Sequence, residues 1–241
     1  LLQQPEFADV DFSALKACLG GGMAVQRAVS DDWQTLTGMP IIQGYGLTEA
    51  SPVISANPLT DSEFNGSVGL PVPSTDVAIF DDNGEILPVG EVGEICARGP
   101  QIMRGYWNRP EATAKIIFGD GWLRTGDAGR MDEQGFIYIE DRLKDLIIVS
   151  GFNVYPSEIE DVVVSHPGIV EAAVIGMPDQ GSGEAVKLFA VKKDASLTRQ
   201  ALIEFCRERL TAYKMPSQVE FRDDLPKSNI GKVLKRELRD E

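Results

Sequence analysis

Apolar and polar residues follow two rhythms along this chain, and the rhythm changes near residue 140. In AVQRAVSDDWQTLT (24–37), Val25, Ala28, Val29, Trp33 and Leu36 recur at helical spacing, and Gly38 with Pro40 suits a helix end. Ile41-Ile42 then leads as a short buried strand into IQGYGLTEAS. From about 66 to 140 the signals are those of short strands. Asn83-Gly84 within DDNGE is a hairpin turn, EVGEICARG alternates loosely, and GWLRTGDAGRM and GFIYIEDR flank a second turn, DEQG. This stretch predicts a small barrel or a twisted sheet.

Beyond 140, LKDLIIVSG reads as a short strand ended by Gly151. Pro156 opens a helix, PSEIEDVVVSH, with acidic residues in its first turn, and Pro167 closes it. VEAAVIGM and EAVKLFAVKK read as strands. TRQALIEFCRERL is a helix with Leu202, Phe205, Cys206 and Leu210 on one face; QVEFRD is a strand and VLKRELRDE a terminal helix. The expected class is mixed α+β. Residues 1–140 form the end of an α/β domain plus a small β-barrel-like subdomain, and 141–241 a compact α+β unit of ordinary domain size.

Composition and charge narrow the function. No run of 18 apolar residues exists, so no membrane-spanning helix is expected. The chain begins Leu1-Leu2-Gln3-Gln4 without Met or a signal peptide, which reads as the middle of a longer polypeptide. Cys18, Cys96 and Cys206 lie far apart without metal-ligand spacing, and suit reduced thiols in the cytosol. A single histidine, His166, argues against His-based nucleophilic catalysis or a His-rich metal site. The net charge is −14, of which −12 falls in residues 1–140 and −2 in 141–241. A nucleic-acid binder would show a basic face instead. A small anion could still be held by a few placed cations, most of which lie in the second part.

The candidate chemistry starts at IQGYGLTEAS (42–51). Gly44 and Gly46 around Tyr45 would let the backbone approach a flat ligand, and an exposed Tyr45 ring would offer a stacking face. Thr48 brings a hydroxyl and Glu49 a hard oxygen ligand for a phosphate-bound Mg²⁺. A glycine-rich strand-to-loop turn around a core tyrosine accounts for the same residues.

Further along stand GEICARGPQIMRGYWNRPEAT (93–113), GWLRTGD (121–127), DRLKDLIIVSGFNVYPSEIE (141–160) and PKSNIGK (226–232). With GYGLTE (44–49), these five stretches and their order resemble the adenylate-forming enzymes: acyl-CoA synthetases, firefly luciferase and peptide-synthetase adenylation domains. The likeness runs over essentially the whole chain and is greatest to bacterial long-chain fatty acyl-CoA synthetases. It implies ATP/AMP, Mg²⁺ and coenzyme A as ligands. Tyr45 would stack on adenine, bordered by Gly22 and Met23, where Ala24 replaces the family's more usual proline. Thr48 would contact phosphate, Glu49 would bind Mg²⁺, and Asp127 would accept from both ribose hydroxyls. Arg142 would add a contact near ribose or phosphate, and Lys144 would be the hinge of a mobile C-terminal domain. Gly151 would border the passage of pantetheine, and Lys232 would stabilise the adenylation transition state. Ile148 stands where some relatives have lysine. GYWNRPEAT around Trp107 is expected to support the fold without chemistry, and Lys235, Arg236 and Arg239 to form a solvated face.

The family's Ser/Thr/Gly-rich phosphate loop is missing, so the chain is expected to be truncated at its N-terminus and, alone, not to adenylate at a useful rate. The resemblance implies a long-chain fatty acid–CoA ligase that makes an acyl-adenylate and passes the acyl group to CoA. A ligase for a medium-chain, aryl or amino acid, and a non-catalytic nucleotide-binding module, are the alternatives. The expected partners are fatty acid, ATP and CoA, with no nucleic acid. The expected location is the cytoplasm. Peripheral association at the inner membrane face, oligomeric state and chain-length preference stay open.

Overall fold

A computed structural model of the chain describes every residue except Gln3, Asp61, Ser62, Ile230 and Glu241. The chain divides into two compact units, Leu1–Ile139 and Glu140–Glu241.

The first unit holds two sheets. β1 (Cys18–Gly20) runs parallel to β2 (Ile41–Gly46), joined by α1 (Arg27–Thr37). β3 (Val53–Ala56) and β4 (Leu70–Pro71) continue that sheet antiparallel. Gly38 ends α1 at φ 72°, and its N–H donates to the Gln34 carbonyl at 2.9 Å, a left-handed cap that favours glycine. The apolar stripe expected to bury α1 does so only in part. Val29 is 42% exposed, Ser30 and Thr37 are the buried positions, and Trp33 packs on Phe7 and Phe12.

The second sheet contains β5 (Asp76–Phe80), β6 (Gly93–Arg98), β7 (Ile117–Phe118) and β8 (Trp122–Met131) in the order β5-β6-β8-β7, with β9 (Ile137–Arg142) also pairing β8. The short helix α2 (Pro110–Ile116) precedes β7. Both expected turns form: the Asp81 N–H donates to the Glu85 carbonyl at 2.9 Å, and the Asp132 N–H to the Phe136 carbonyl at 3.0 Å. Of the two forms expected for this stretch, a small barrel or a sheet, the strands form the sheet; among the described residues no ladder joins β5 to β7. Ile137 instead pairs with Val68 and Gly69, its carbonyl accepting from the Val68 N–H at 2.8 Å and its N–H donating to the Gly69 carbonyl at 3.0 Å. That couples the second sheet to the residues entering β4. Ile54, Ile79, Ile95, Leu123 and Ile137 form the shared core. Cys96 is wholly buried, and burial, aided by the Glu94 carboxylate, pushes its thiol up to about 12.

The second unit is one mixed sheet with helices. β10 (Ile147–Val149) and β11 (Phe152–Val154) form a hairpin; β13 (Gly183–Lys192) pairs with β10, with β12 (Ile169–Asp179) and, in parallel, with β14 (Gln218–Arg222). The helices are α3 (Pro156–Val164), α4 (Arg199–Arg207) and α5 (Lys235–Arg239). α4 starts where the Thr198 hydroxyl accepts from the Ala201 N–H at 3.2 Å. It buries Leu202 and Cys206 against Ile147, Val163 and Leu188; full burial of one such leucine contributes about 2 kcal/mol. At the N-terminus of α3 the Ser157 N–H donates to the carboxylate of Asp141 at 2.7 Å, so a residue near the unit's boundary satisfies a first-turn donor of its first helix.

α5 corrects one expectation. Lys235 and Arg239 are not simply solvated cations, though Arg239 is partly exposed. Lys235 Nζ meets Glu160 Oε1 at 2.8 Å, and Arg239 Nη2 meets the buried Asp145 at 2.6 Å. Their partners stand far back in the sequence, on α3 and in the turn Leu143–Asp145. With Leu238 in the core, these two pairs fasten the C-terminal segment to the start of the unit. Removing Arg239 leaves a buried carboxylate unpaired, so Arg239→Ala should cost about 3 kcal/mol. Chemical denaturation of the intact protein measures this; a loss below ~0.5 kcal/mol, the range of an exposed ion pair, would contradict the buried anchor.

Candidate functional site

In the first unit, the candidate residues gather at one end of the parallel pair β1–β2. Gly22 (φ 81°) and Met23 follow the carboxyl end of β1, where ligands commonly bind in parallel sheets. A Cβ on Gly21 would lie 3.3 Å from the Gly44 carbonyl, which places this loop against Gly44. The buried Gln43 fixes it: its Oε1 accepts from the Val25 N–H at 3.2 Å and its Nε2 donates to the Ser67 carbonyl at 3.2 Å. Gly46 is demanded by the chain itself. A Cβ there would sit 1.8 Å from the Pro52 carbonyl oxygen, so no side chain fits.

Tyr45 does not present the exposed face expected of it. Its ring is 9% exposed and packs with Ala50, Ile54 and Leu123. Its hydroxyl donates to Asp127 Oδ2 at 2.6 Å. Asp127, 8% exposed, is delivered by a bulge. Between the pairs Glu94–Ala128 and Cys96–Arg124 the register of β6 and β8 shifts, and β8 spends the extra residues on Thr125-Gly126-Asp127. Gly126 takes φ 75°, and Glu94 stitches the bulge down by accepting from the Gly126 N–H at 3.0 Å and from Arg124 Nη1 at 2.6 Å. The Thr125 hydroxyl donates to the Ile95 carbonyl at 2.7 Å.

Thr48 and Glu49 lie on the single turn Thr48–Ala50 that leaves β2; Thr48 is exposed and Glu49 half-buried. Glu49 borders a cleft of ≈ 300 Å³ lined also by Tyr106, Lys115, Glu94, Arg124 and Gly126. The Tyr106 hydroxyl donates to Glu49 Oε1 at 2.7 Å, and that carboxylate raises the phenol's pKa above its ordinary value. Trp107, the aromatic expected to support the fold, is 89% exposed. Tyr106 beside it reaches the candidate metal ligand, a contact invisible to sequence reasoning because the two stand 57 residues apart.

The remaining candidates lie in the second unit. Arg142 is exposed, and its N–H donates to Asp141 Oδ1 at 2.7 Å. Lys144 is exposed in the turn Leu143–Asp145, next to the buried Asp145. Ser150 (φ 51°) and Gly151 (φ 83°) are the two loop residues of the β10–β11 hairpin, both left-handed as a type I′ turn requires. A Cβ on Gly151 would meet nothing within 4 Å, so backbone angle, not space, selects glycine there.

Lys232 ends a tight loop. The Ser228 N–H donates to the Lys232 carbonyl at 2.8 Å, the Gly231 N–H to the Ser228 carbonyl at 2.9 Å, and Lys227 bridges Val233. The lysines on either side are committed, Lys227 to Glu171 and Asp224, and Lys235 to Glu160. The half-buried Lys232 has no ion pair among the described residues.

Residues 1–107 match the family described as AMP-binding enzyme, and residues 158–232 match AMP-binding enzyme C-terminal domain. Long-chain-fatty-acid–CoA ligases of Escherichia coli O6:H1 and Yersinia pestis are 57% and 58% identical over the whole chain, which spans 43% of the length of each. The crystal structure of ATP-bound MatB from Rhodopseudomonas palustris superposes with a TM-score of 0.94 at 36% identity, covering 100% of this chain and 48% of that one. The o-succinylbenzoate CoA synthetase MenE from Bacillus subtilis, in complex with the acyl-adenylate OSB-AMP, gives 0.87 at 36% identity over 95% of this chain and 47% of that one.

The Tyr45–Asp127 bond is buried, so Tyr45→Phe should destabilise the protein by about 1–3 kcal/mol, as expected where a buried carboxylate loses a donor. Thermal or urea unfolding of the wild type and variant reads this, and equal stabilities would show that the bond contributes nothing net.

Proposed function

This chain belongs to the AMP-binding enzymes, and on that premise we propose that the intact protein is a long-chain fatty acid–CoA ligase. In the first half-reaction, the fatty acid carboxylate attacks the α-phosphorus of ATP, giving acyl-adenylate and pyrophosphate. In the second, the CoA thiol attacks the acyl carbon and AMP leaves. The acyl class is supported by the high identity to ligases of that name over the whole chain.

The observation that carries the chemistry is Lys232. Of the three lysines in 227–235, it is the one whose ammonium is not held by a carboxylate among the described residues. An ammonium already placed when negative charge builds at the attacked phosphorus stabilises the transition state more than the ground state. Asp127 takes the ribose diol. Each carboxylate oxygen has two lone pairs, so the Tyr45 bond still leaves acceptor capacity. Tyr45 therefore borders the nucleotide from beneath the surface and orients Asp127, while Gly22, Met23, Gly44 and Gly46 form the backbone edge beside adenine. Thr48 addresses phosphate, and Arg142 adds a second contact near the ribose.

Among the described residues no group of three or more His, Cys, Asp or Glu side chains is arranged to hold a metal. Glu49 offers one carboxylate, a donor set that fits Mg²⁺ arriving with substrate phosphates and keeping its waters. Bound there, Mg²⁺ supplies charge neutralisation on the phosphates. Lys144 serves as the hinge about which the second unit turns between half-reactions, and Gly151 borders the CoA passage. No helix among the described residues is long and apolar enough to cross a membrane. A cytoplasmic enzyme that draws fatty acid from the inner membrane face by peripheral contact suits this substrate.

Lys232→Ala in the intact protein should slow pyrophosphate exchange by roughly 100- to 1000-fold, the loss expected for one transition-state donor. Thioester formation from preformed acyl-adenylate should change little. An unchanged exchange rate would favour a nucleotide-binding module over the enzyme.

A further inference from the structure

Tyr106 stands in a stretch that the proposed chemistry does not use, yet the chain is built to hold it on Glu49. Three contacts clip the segment in place. The Met103 N–H donates to the Glu49 carbonyl at 2.8 Å, the Tyr106 N–H to the Thr113 hydroxyl at 2.9 Å, and that hydroxyl to the Arg109 carbonyl at 3.0 Å. Gly105, at φ 146°, makes room: a Cβ there would lie 2.6 Å from Thr113 Cγ2. The result is a phenol whose hydroxyl donates to Glu49 Oε1 at 2.7 Å at the edge of the cleft.

A lone half-buried carboxylate can rotate, and a divalent cation held by one protein oxygen loses affinity when that oxygen is not preset. A donor fixed on Oε1 pins the carboxylate plane and leaves Oε2 as the oxygen directed by that bond. We propose that Tyr106 is a positioning residue that orients Glu49 to take the divalent cation carried by ATP. The inference rests on the metal role proposed for Glu49. Its signature is coupling between metal and nucleotide: the phenol matters to ATP binding only when the cation is present.

Calorimetric titration of ATP into the intact protein, with Mg²⁺ and with EDTA, tests this on the wild type, Tyr106→Phe and Glu49→Gln. The gain in ATP affinity conferred by Mg²⁺ should fall about tenfold in Tyr106→Phe, the lower range for loss of a group supporting a metal ligand, with affinity in EDTA unchanged. Glu49→Gln should lose more of that gain. If Glu49→Gln loses the gain and Tyr106→Phe keeps it, the positioning role is overturned while the metal role of Glu49 stands. If Glu49→Gln keeps it, the metal role fails first. If Tyr106→Phe weakens ATP equally with and without Mg²⁺, Tyr106 supports the loop alone and the inference is overturned.

Discussion

The hydrogen bond from Tyr45 to Asp127 is the constraint on which the first unit's site depends. It joins the glycine strand to the bulge of β8 across 82 residues of sequence. Both groups are buried, so a hydrogen bond between them is made away from water and helps satisfy polar atoms that solvent does not reach. The strand can carry the tyrosine to that point because Gly46 lets the backbone pass the Pro52 carbonyl. The bulge can carry the aspartate there because Gly126 adopts a left-handed angle and Glu94 holds the bulge to its neighbour strand. A carboxylate held on a strand bulge in this way keeps its acceptor oxygens in one place without moving anything to do so.

The second unit follows a different electrostatic plan. Several of its lysines and arginines are spent in pairs: Lys187 on Glu220, Lys214 on Glu158, Lys227 on Glu171, Lys235 on Glu160 and Arg239 on Asp145. Two of these fix the C-terminal helix to α3 and to the turn that carries Lys144. The loop bearing Lys232 is therefore braced on both sides by neutralised cations, while its own ammonium stays uncommitted among the described residues. Bracing of this kind holds the backbone on either side of that ammonium in one geometry.

Features governed by near neighbours were legible in the sequence. The Thr198 start of α4, the Gly38 cap and the turns at Asn83-Gly84 and Asp132–Gly135 involve residues a few positions apart, and their chemistry specifies the geometry. Features governed by distant partners were not. Lys235 and Arg239 read as solvated because nothing nearby revealed Glu160 or Asp145. Tyr45 read either as an exposed stacking ring or as a core tyrosine, and glycine flanks did not decide between them because they describe backbone freedom and not what covers the ring. The strand Phe152–Val154 went unseen because three residues are too few to show a period, although Ser150-Gly151 is itself a two-residue hairpin signal. Of the site, the residue types were readable and their mutual contacts were not; Tyr106 on Glu49 is the clearest case.

The central claim is that Asp127, set by Tyr45, receives the ribose of ATP. The most direct measurement compares the affinities of ATP and 2′,3′-dideoxy-ATP for the intact wild type and for Asp127→Asn. The wild type should prefer ATP at least about tenfold, the value of hydrogen bonds to a charged acceptor, and the variant should lose most of that preference. An equal preference in both proteins would contradict the account.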